Sequence, residues 1–320
     1  MSPLFAVIGG TGFAGAATVN AFVERGHRVR VISRHVKPEA RPNVETIAAD
    51  ANDVASLTKA LEGVHTAVLC ARPEYWRWPT ELVPMFQRAI DAASSAGTRL
   101  VLCDNLYAYG IPDGPLTETS PLRPHGPKGR ARQEGAELMM RAHELGEVKV
   151  AIGRAADFFG PGVDSTPTKM LFGNAVQGKS VRLFGTGDTL HSVSFIEDVG
   201  RGLVTLAEHD EAFGQVWHLP VAPPMTEQAW VRRIVELAGT GVSVSTTAPW
   251  AVHAIYRVMG LFSPLLRELP EMQYQHELPF VVDDSKFVNA FGQRATPMDE
   301  AVRVTLEFWR ERVGRARAAA

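Results

Sequence analysis

Phe5-Ala-Val-Ile-Gly-Gly-Thr-Gly-Phe-Ala-Gly15 is the stretch whose reading decides the fold. A short apolar, β-prone run, Leu4 to Ile8, breaks into glycines and then into a helix-compatible segment, Ala14 to Arg25, stopped by Gly26. The order is strand, tight turn, helix. Gly9, Gly12 and Gly15 allow a positive φ in the turn, close approach of backbone to a pyrophosphate and tight packing of helix on strand. The helix N-terminus aims its free N–H groups at the same place. With Thr11 and Phe13 between the glycines, the loop reads as a phosphate cradle. Glycines that only make a turn are the competing reading, and the strand-to-helix context favours the cradle.

Working outward, Arg28-Val-Arg-Val-Ile32 is a second strand placed as a βαβ unit requires, ending in Ser33-Arg34-His35. An acid at this tip accepts from the 2′-hydroxyl of NAD, whereas a basic residue pairs with the 2′-phosphate of NADP. Here the acid is missing and Ser33 and Arg34 stand in its place, so NADP is expected over NAD; a solvated surface arginine is the bland alternative. Further strands are expected at 44–47, 66–70, 99–103, 148–152 and 215–219, with helices around Leu57 and Leu61, over Thr80 to Ala96, and over Val199 to Glu208.

The spacing Gly-x-x-Gly-x-x-Gly, with Gly10 and Thr11 inside it, resembles the signature of the extended short-chain dehydrogenases/reductases, the NAD-dependent epimerase/dehydratase family. Later matches carry the resemblance over nearly the whole chain: Tyr109-Gly110, Arg154 to Pro161, and His191 to Val199. It implies that Asp50, with Ala51, accepts from the adenine amino group, although a turn or N-cap aspartate competes. It also implies that Cys70, Ala71 and Arg72 run beneath the pyrophosphate and ribose, that Ala155 belongs to the segment holding the nicotinamide end, and that Asp157 and Phe158 begin the substrate pocket. His191 stands where the family commonly has arginine and is grouped with the substrate residues. The aromatic run Glu74-Tyr-Trp-Arg-Trp-Pro79 either packs under its loop or meets ligand, the former being the commoner use.

The family's catalytic pair, a tyrosine and a lysine one helical turn apart, is absent: none of Tyr75, Tyr107, Tyr109, Tyr256 and Tyr274 is followed by lysine four residues on. The corresponding slots fall at or near Lys128 and Arg132, at i and i+4 on one helix face, where the neighbouring cation would lower the lysine pKa. This is similar, locally, to the Lys…Arg helix of isoflavone-reductase-like members; a solvated basic face is the plain alternative. Asn105 takes the family's serine or threonine position and can donate a hydrogen bond to a substrate oxygen. Tyr107 and Tyr109, at the tip of the same strand, are the alternative acids.

Composition bounds the rest. With 320 residues and 45% apolar content the chain can bury a large core, and a net charge of −2 offers no basic field for nucleic acid or an anionic membrane. No apolar run approaches the roughly 20 residues of a membrane span, and no leader pattern precedes Phe5, so a cytoplasmic protein is expected, with a small-molecule substrate as partner and a homodimer left open. Cys70 and Cys103 lack a neighbouring histidine or second cysteine at ligand spacing, so no metal is expected. Trp250 to Leu269, apolar and punctuated by Gly260 and Pro264, is expected to be a lid or core helix over the pocket, with a membrane or partner surface as the alternative.

The expected fold is α/β: a Rossmann-type doubly wound parallel sheet over residues 1–160 and 190–220, with a smaller C-terminal α/β substrate domain from 161–189 and 221–320. Three functions remain open. The chain is read first as an NADP-dependent oxidoreductase acting on a small carbonyl or enone compound, then as a sugar-nucleotide epimerase or dehydratase, and third as a non-catalytic NADP sensor.

Overall fold

A computed structural model describes residues 3–36 and 39–318, so residues 1–2 of the expected first domain and residues 319–320 of the alanine-rich tail lie outside the described residues. The strands are β1 (Leu4–Ile8), β2 (Arg28–Ser33), β3 (Val44–Ala48), β4 (Thr66–Leu69), β5 (Arg99–Asp104) and β6 (Val150–Arg154), joined by a last strand, Val216–His218. These make a seven-stranded sheet in the order Val216–His218, β6, β5, β4, β1, β2, β3, every pairing parallel. In β1, Val7 faces Val31 on one side and Val68 on the other, so the chain leaves β1 in one direction and returns on its other flank. The crevice opened by that reversal lies at the carboxyl end of β1, where the glycine turn begins.

Strands β4 and β6 are buried throughout and β1 nearly so, because both faces are covered by helices, and their sequences run as near-continuous apolar stretches. One face packs on α2 (Val54–Leu61), α3 (Trp78–Ala96) and α4 (Gly126–Glu144) through Leu57, Leu61, Leu82, Phe86 and Met139. The other packs on α1 (Phe13–Glu24) and the helix Ile196–Glu208 through Phe22, Val199, Leu203 and Trp217. A separate apolar cluster, with Phe159, Phe172, Val181, Val231, Leu306 and Trp309, gathers residues from the middle and the end of the chain.

Several boundaries differ from the sequence reading. β6 runs two residues later than expected, opening at Val150, which pairs with Leu100 of β5. α3 begins at Trp78 rather than Thr80, since Pro79 fits the first helical turn, where no backbone N–H is needed. The strand Val244–Thr247, paired parallel to Val181–Phe184, carries too little apolar alternation to announce itself. The Trp250 to Leu269 stretch forms the helix Pro249–Met259 and then a bent continuation, and of that helix only Val252 is buried. Trp250, Leu261 and Phe262 are largely exposed, so the segment is not a core helix. Among the described residues no helix is long and apolar enough to cross a membrane.

Candidate active site

The glycine turn is built from two kinds of glycine. Gly9 has φ +83°, and a Cβ there would lie 2.6 Å from Ala71 N; a Cβ on Gly15 would run into the carbonyl of Gly9 and lie 2.8 Å from Gly10 Cα. These two are demanded by the chain itself. Gly12, the N-cap of α1, has φ −79°, and a Cβ there would meet only Gly9 O at 3.4 Å. The protein leaves that volume open at the head of a helix, in front of unpaired N–H groups, which is the fit a dinucleotide pyrophosphate needs. Among the described residues no side chain caps α1.

Thr11 Oγ1 lies 3.0 Å from Ser33 Oγ, tying the turn to the tip of β2. Arg34 follows, exposed, and among the described residues its guanidinium has no hydrogen-bond or ion-pair partner. Asp50 Oδ1 accepts from Asn52 N at 2.9 Å and from Asn52 Nδ2 at 3.2 Å, making an aspartate turn beside half-buried Ala51, while Asp53 caps α2. The N-cap role weighed for Asp50 therefore belongs to Asp53, and the second Asp50 carboxylate oxygen accepts no bond from a described residue.

At the ends of the neighbouring strands, Cys70 N and Ala71 N both donate to Ile8 O at 2.9 Å, which presses Ala71 against Gly9. The Cys70 thiol is pushed well up by Cys103 beside it and by burial, which makes it an inert core group. Asp104, the last residue of β5, is 2% exposed and accepts from Arg132 Nη1 at 3.0 Å and Arg154 Nε at 3.1 Å. Its backbone carbonyl takes Ala155 N at 3.2 Å. One carboxylate thus faces two buried guanidiniums, and Arg132 Nε is left with no partner. Arg72 and Arg132 both lie over the Trp78 ring, at 5.7 and 4.1 Å. Desolvation and repulsion from Arg132 lower the Arg72 pKa. The ends of β4 and β5 therefore carry an excess of positive charge, matched to anionic ligand groups.

Asn105 Oδ1 accepts from Tyr107 N at 3.2 Å, which orients the loop and leaves the Asn105 amide N–H free to donate outward. The Tyr107 phenol is pushed well above its ordinary range by burial and by the Tyr75 phenol beside it, with Arg132 opposing. It is a neutral hydroxyl that can donate a hydrogen bond to a substrate oxygen. Tyr75 belongs to the aromatic run: its ring meets Trp78 at 5.0 Å, and Trp78 meets Tyr107 at 6.0 Å. That run both packs and lines the strand ends.

Two expected catalytic groups are placed otherwise. Tyr109 is 2% exposed, and its hydroxyl lies 2.8 Å from His218 Nε2, inside a core of its own, so it is not open to substrate. Lys128 has no exposed surface; its Nζ contacts Glu268 Oε2 at 2.5 Å and Glu271 Oε2 at 2.7 Å and sits 4.9 Å above the Tyr75 ring. Arg132 does not tune it, because the guanidinium turns to Asp104 and Trp78 while carboxylates from the 268–271 turn surround the ammonium.

On the far side of the sheet edge, Asp157 and Phe158 form the short strand Asp157–Phe159 paired with Val193–Phe195. His191 is 5% exposed; its Nε2 lies 3.2 Å from Asp157 Oδ2 and its Nδ1 2.9 Å from Gln275 O. His276 stacks on it with ring centroids 5.2 Å apart, and His276 Nδ1 lies 2.5 Å from Glu227 Oε1. Glu227, His276, Glu268, Glu271 and Asp104 did not stand out in the sequence reading, whereas Tyr75 belonged to the aromatic run already noted. The partners of the five charged residues among them lie from 28 to 143 residues away, so no local spacing marks them.

Comparison with known proteins bears on the family and the fold. The family model "NAD dependent epimerase/dehydratase family" matches residues 5–219. The sterol-4-alpha-carboxylate 3-dehydrogenase, decarboxylating, of Mus musculus is 29% identical over 245 residues, which are 72% of this chain and 67% of that protein. The 3beta-hydroxysteroid-dehydrogenase/decarboxylase isoform 2 of Arabidopsis thaliana is 23% identical over 292 residues, 82% of this chain and 52% of that protein, so the chain spans about half of that relative's length. Among solved structures, dTDP-glucose 4,6-dehydratase from Streptomyces venezuelae, determined with NAD bound, superposes with a TM-score of 0.79 at 20% identity, covering 98% of each chain.

Proposed function

We infer, because this chain belongs to the NAD-dependent epimerase/dehydratase family, that it is an NADP-preferring oxidoreductase exchanging hydride with a small organic carbonyl or enone compound. The observation that carries the reading is the group at the β5 tip. Tyr107 offers a neutral phenol, Asn105 offers an amide donor, and Arg72 with Arg132 offers positive charge to an oxygen that becomes negative as hydride arrives. A nicotinamide cofactor, when bound, would supply the hydride. Gly9, Thr11, Gly12, Phe13 and Gly15 would hold its pyrophosphate, Ser33 and Arg34 its 2′-phosphate, and Asp50 its adenine. Keto-intermediate epimerisation of a sugar nucleotide fits less well, since the Tyr–Lys base pair on which it relies is absent.

The same cations favour a second, narrower reading. Both relatives named above are described as decarboxylating, and a 3-hydroxy acid oxidised at the carbon β to its carboxylate would lose carbon dioxide from the resulting 3-keto acid, leaving an enolate that takes up a proton. Arg72 and the unpartnered Nε of Arg132 are suited to hold such a carboxylate. The test of both is absorbance at the reduced-nicotinamide band, with ketones and enones plus NADPH in one panel and 3-hydroxy acids plus NADP in the other. Turnover in the first supports the reductase, turnover with release of carbon dioxide in the second supports the decarboxylating dehydrogenase, and tight NADPH binding without turnover in either supports a sensor.

A further inference from the structure

Three distant stretches of chain bring metal-ligand chemistry to one place. His191 ends the strand Leu190–His191, Glu227 opens the helix Glu227–Ala238, and His276 lies in the turn Tyr274–Glu277. One nitrogen from each ring and a carboxylate oxygen of Glu227 all lie within 4.8 Å of one another. Asp157 adds a second carboxylate, 3.2 Å from His191 Nε2. The grouping is set by backbone. His191 pairs with Met225 in an antiparallel register that brings Glu227 alongside; Ser192 N donates to Phe280 O at 2.9 Å and Thr189 Oγ1 to His276 O at 3.2 Å.

The hydrogen bonding of His191 narrows what the cluster can hold. Gln275 O is an acceptor only, so Nδ1 carries the hydrogen and Nε2 is left to face Asp157. A proton or a metal ion on Nε2 would join it to the Asp157 carboxylate at that separation. Two ligands each about 2.0–2.2 Å from a tetrahedral zinc ion stand a little over about 3 Å apart, the spacing of His191 Nε2 and Asp157. An Nδ1–H held by a backbone carbonyl is also how metal-ligating histidines are usually oriented.

We propose that His191, Glu227 and His276 form a binding site for a divalent ion of the zinc type, with Asp157, against His191, as a further carboxylate beside it. Two imidazoles and two carboxylates are the donor set of zinc rather than of calcium or magnesium, and the two carboxylates neutralise its charge. His191 and Glu227 are 5% and 8% exposed and form the fixed part of the site. The Asp157 side chain is 46% exposed, which makes it the carboxylate that a substrate oxygen can displace.

The experiment is titration of chelator-treated full-length protein with Zn²⁺ by calorimetry, with elemental analysis of the loaded protein and the visible spectrum of the Co²⁺ form. One ion per chain with Kd of about 1 µM or tighter is expected, together with the absorption of a tetrahedral cobalt site. Glu227→Gln and His191→Gln should each weaken binding at least about tenfold. His209→Gln, which removes an exposed histidine–carboxylate pair elsewhere, should change nothing. If His191→Gln fails to fold, the isosteric Glu227→Gln carries the test. No stoichiometric uptake at about 100 µM Zn²⁺, or uptake that survives Glu227→Gln, overturns the site and leaves two histidine–carboxylate hydrogen bonds in its place.

Discussion

Glu271 holds Lys128 twice: Oε1 accepts from the Lys128 backbone N–H at 2.7 Å and Oε2 accepts from Nζ at 2.7 Å. The carboxylate sits at the N-terminal turn of α4, where a negative charge is favoured, and it fits because Gly126 has no Cβ; one there would lie 2.5 Å from Glu271 Cγ. The contact ties the segment around 268–271, and the apolar helix Pro249–Met259 before it, to the strand ends. Glu271→Ala should therefore raise amide hydrogen exchange in residues 249–277 at least about tenfold, equivalent to about 1.4 kcal/mol of lost protection, with NADPH affinity unchanged. Unaltered exchange would show that the segment is held by other contacts.

Arg34 stands exposed at the end of β2, with Ser33 fixed by Thr11 beside it. A charge-assisted contact with a 2′-phosphate is worth about 1.5–3 kcal/mol, or roughly ten- to a hundredfold in affinity. NADPH should bind more tightly than NADH by that factor in a fluorescence titration, and Arg34→Ala should bring the two together. Equal affinities in the unaltered protein would remove the preference for NADP.

How much of this was legible follows from distance along the chain. The glycine turn, the second strand and its Arg34 tip lie within 34 residues and each carries a local pattern, so the fold and the course of this turn could be read directly. Asp104 could not be, because what makes it matter is two guanidiniums arriving from Arg132 and Arg154. Lys128 and Arg132 were correctly placed on one helix, yet spacing alone cannot say that one would turn to Glu271 and the other to Asp104. The strand Val244–Thr247 is defined by its partner Val181–Phe184 rather than by its own composition.

Gly12 and Gly15 should separate ligand binding from folding. A side chain at Gly12 meets only Gly9 O within the protein, so Gly12→Val should melt near the unaltered protein while losing nucleotide binding. At Gly15 the added carbon runs into the Gly9 carbonyl and the Gly10 Cα, so Gly15→Ala should cost about 1–3 kcal/mol of stability through forced backbone movement. Nucleotide binding retained by a folded Gly12→Val protein would place the ligand elsewhere.

His218 gives the fold a pH dependence of known sign. Burial lowers its pKa from 6.5 to about 4, with Arg154 and Lys286 adding repulsion, although its bond to the Asp283 carbonyl opposes the shift. Because the folded-state pKa is depressed, the unfolded chain binds the proton more readily between those two values. Stability is then full above pH 6.5 and falls as pH drops towards 4, by up to about 2–3 kcal/mol from this residue. Urea unfolding at pH 7 and pH 5 should show the loss, and His218→Gln should reduce it; an unchanged slope would assign the dependence to other groups.

The proton of hydride transfer is the remaining question, and Tyr107 and Lys128 answer it differently. Tyr107 is a neutral phenol beside Tyr75 and Asn105, whereas the Lys128 ammonium is enclosed by Glu268 and Glu271. Loss of a general acid costs about 10²–10⁴-fold in kcat, with cofactor affinity nearly unchanged. Tyr107→Phe should show that loss in any carbonyl substrate found by the panel. Lys128→Met should instead loosen the 249–277 segment, and if its rate falls, Glu271→Ala should fall with it, since both variants break the same contact. A Lys128→Met enzyme that loses about 10²-fold or more while Glu271→Ala and Tyr107→Phe keep full turnover would make the lysine the proton donor, released from its carboxylates when substrate binds.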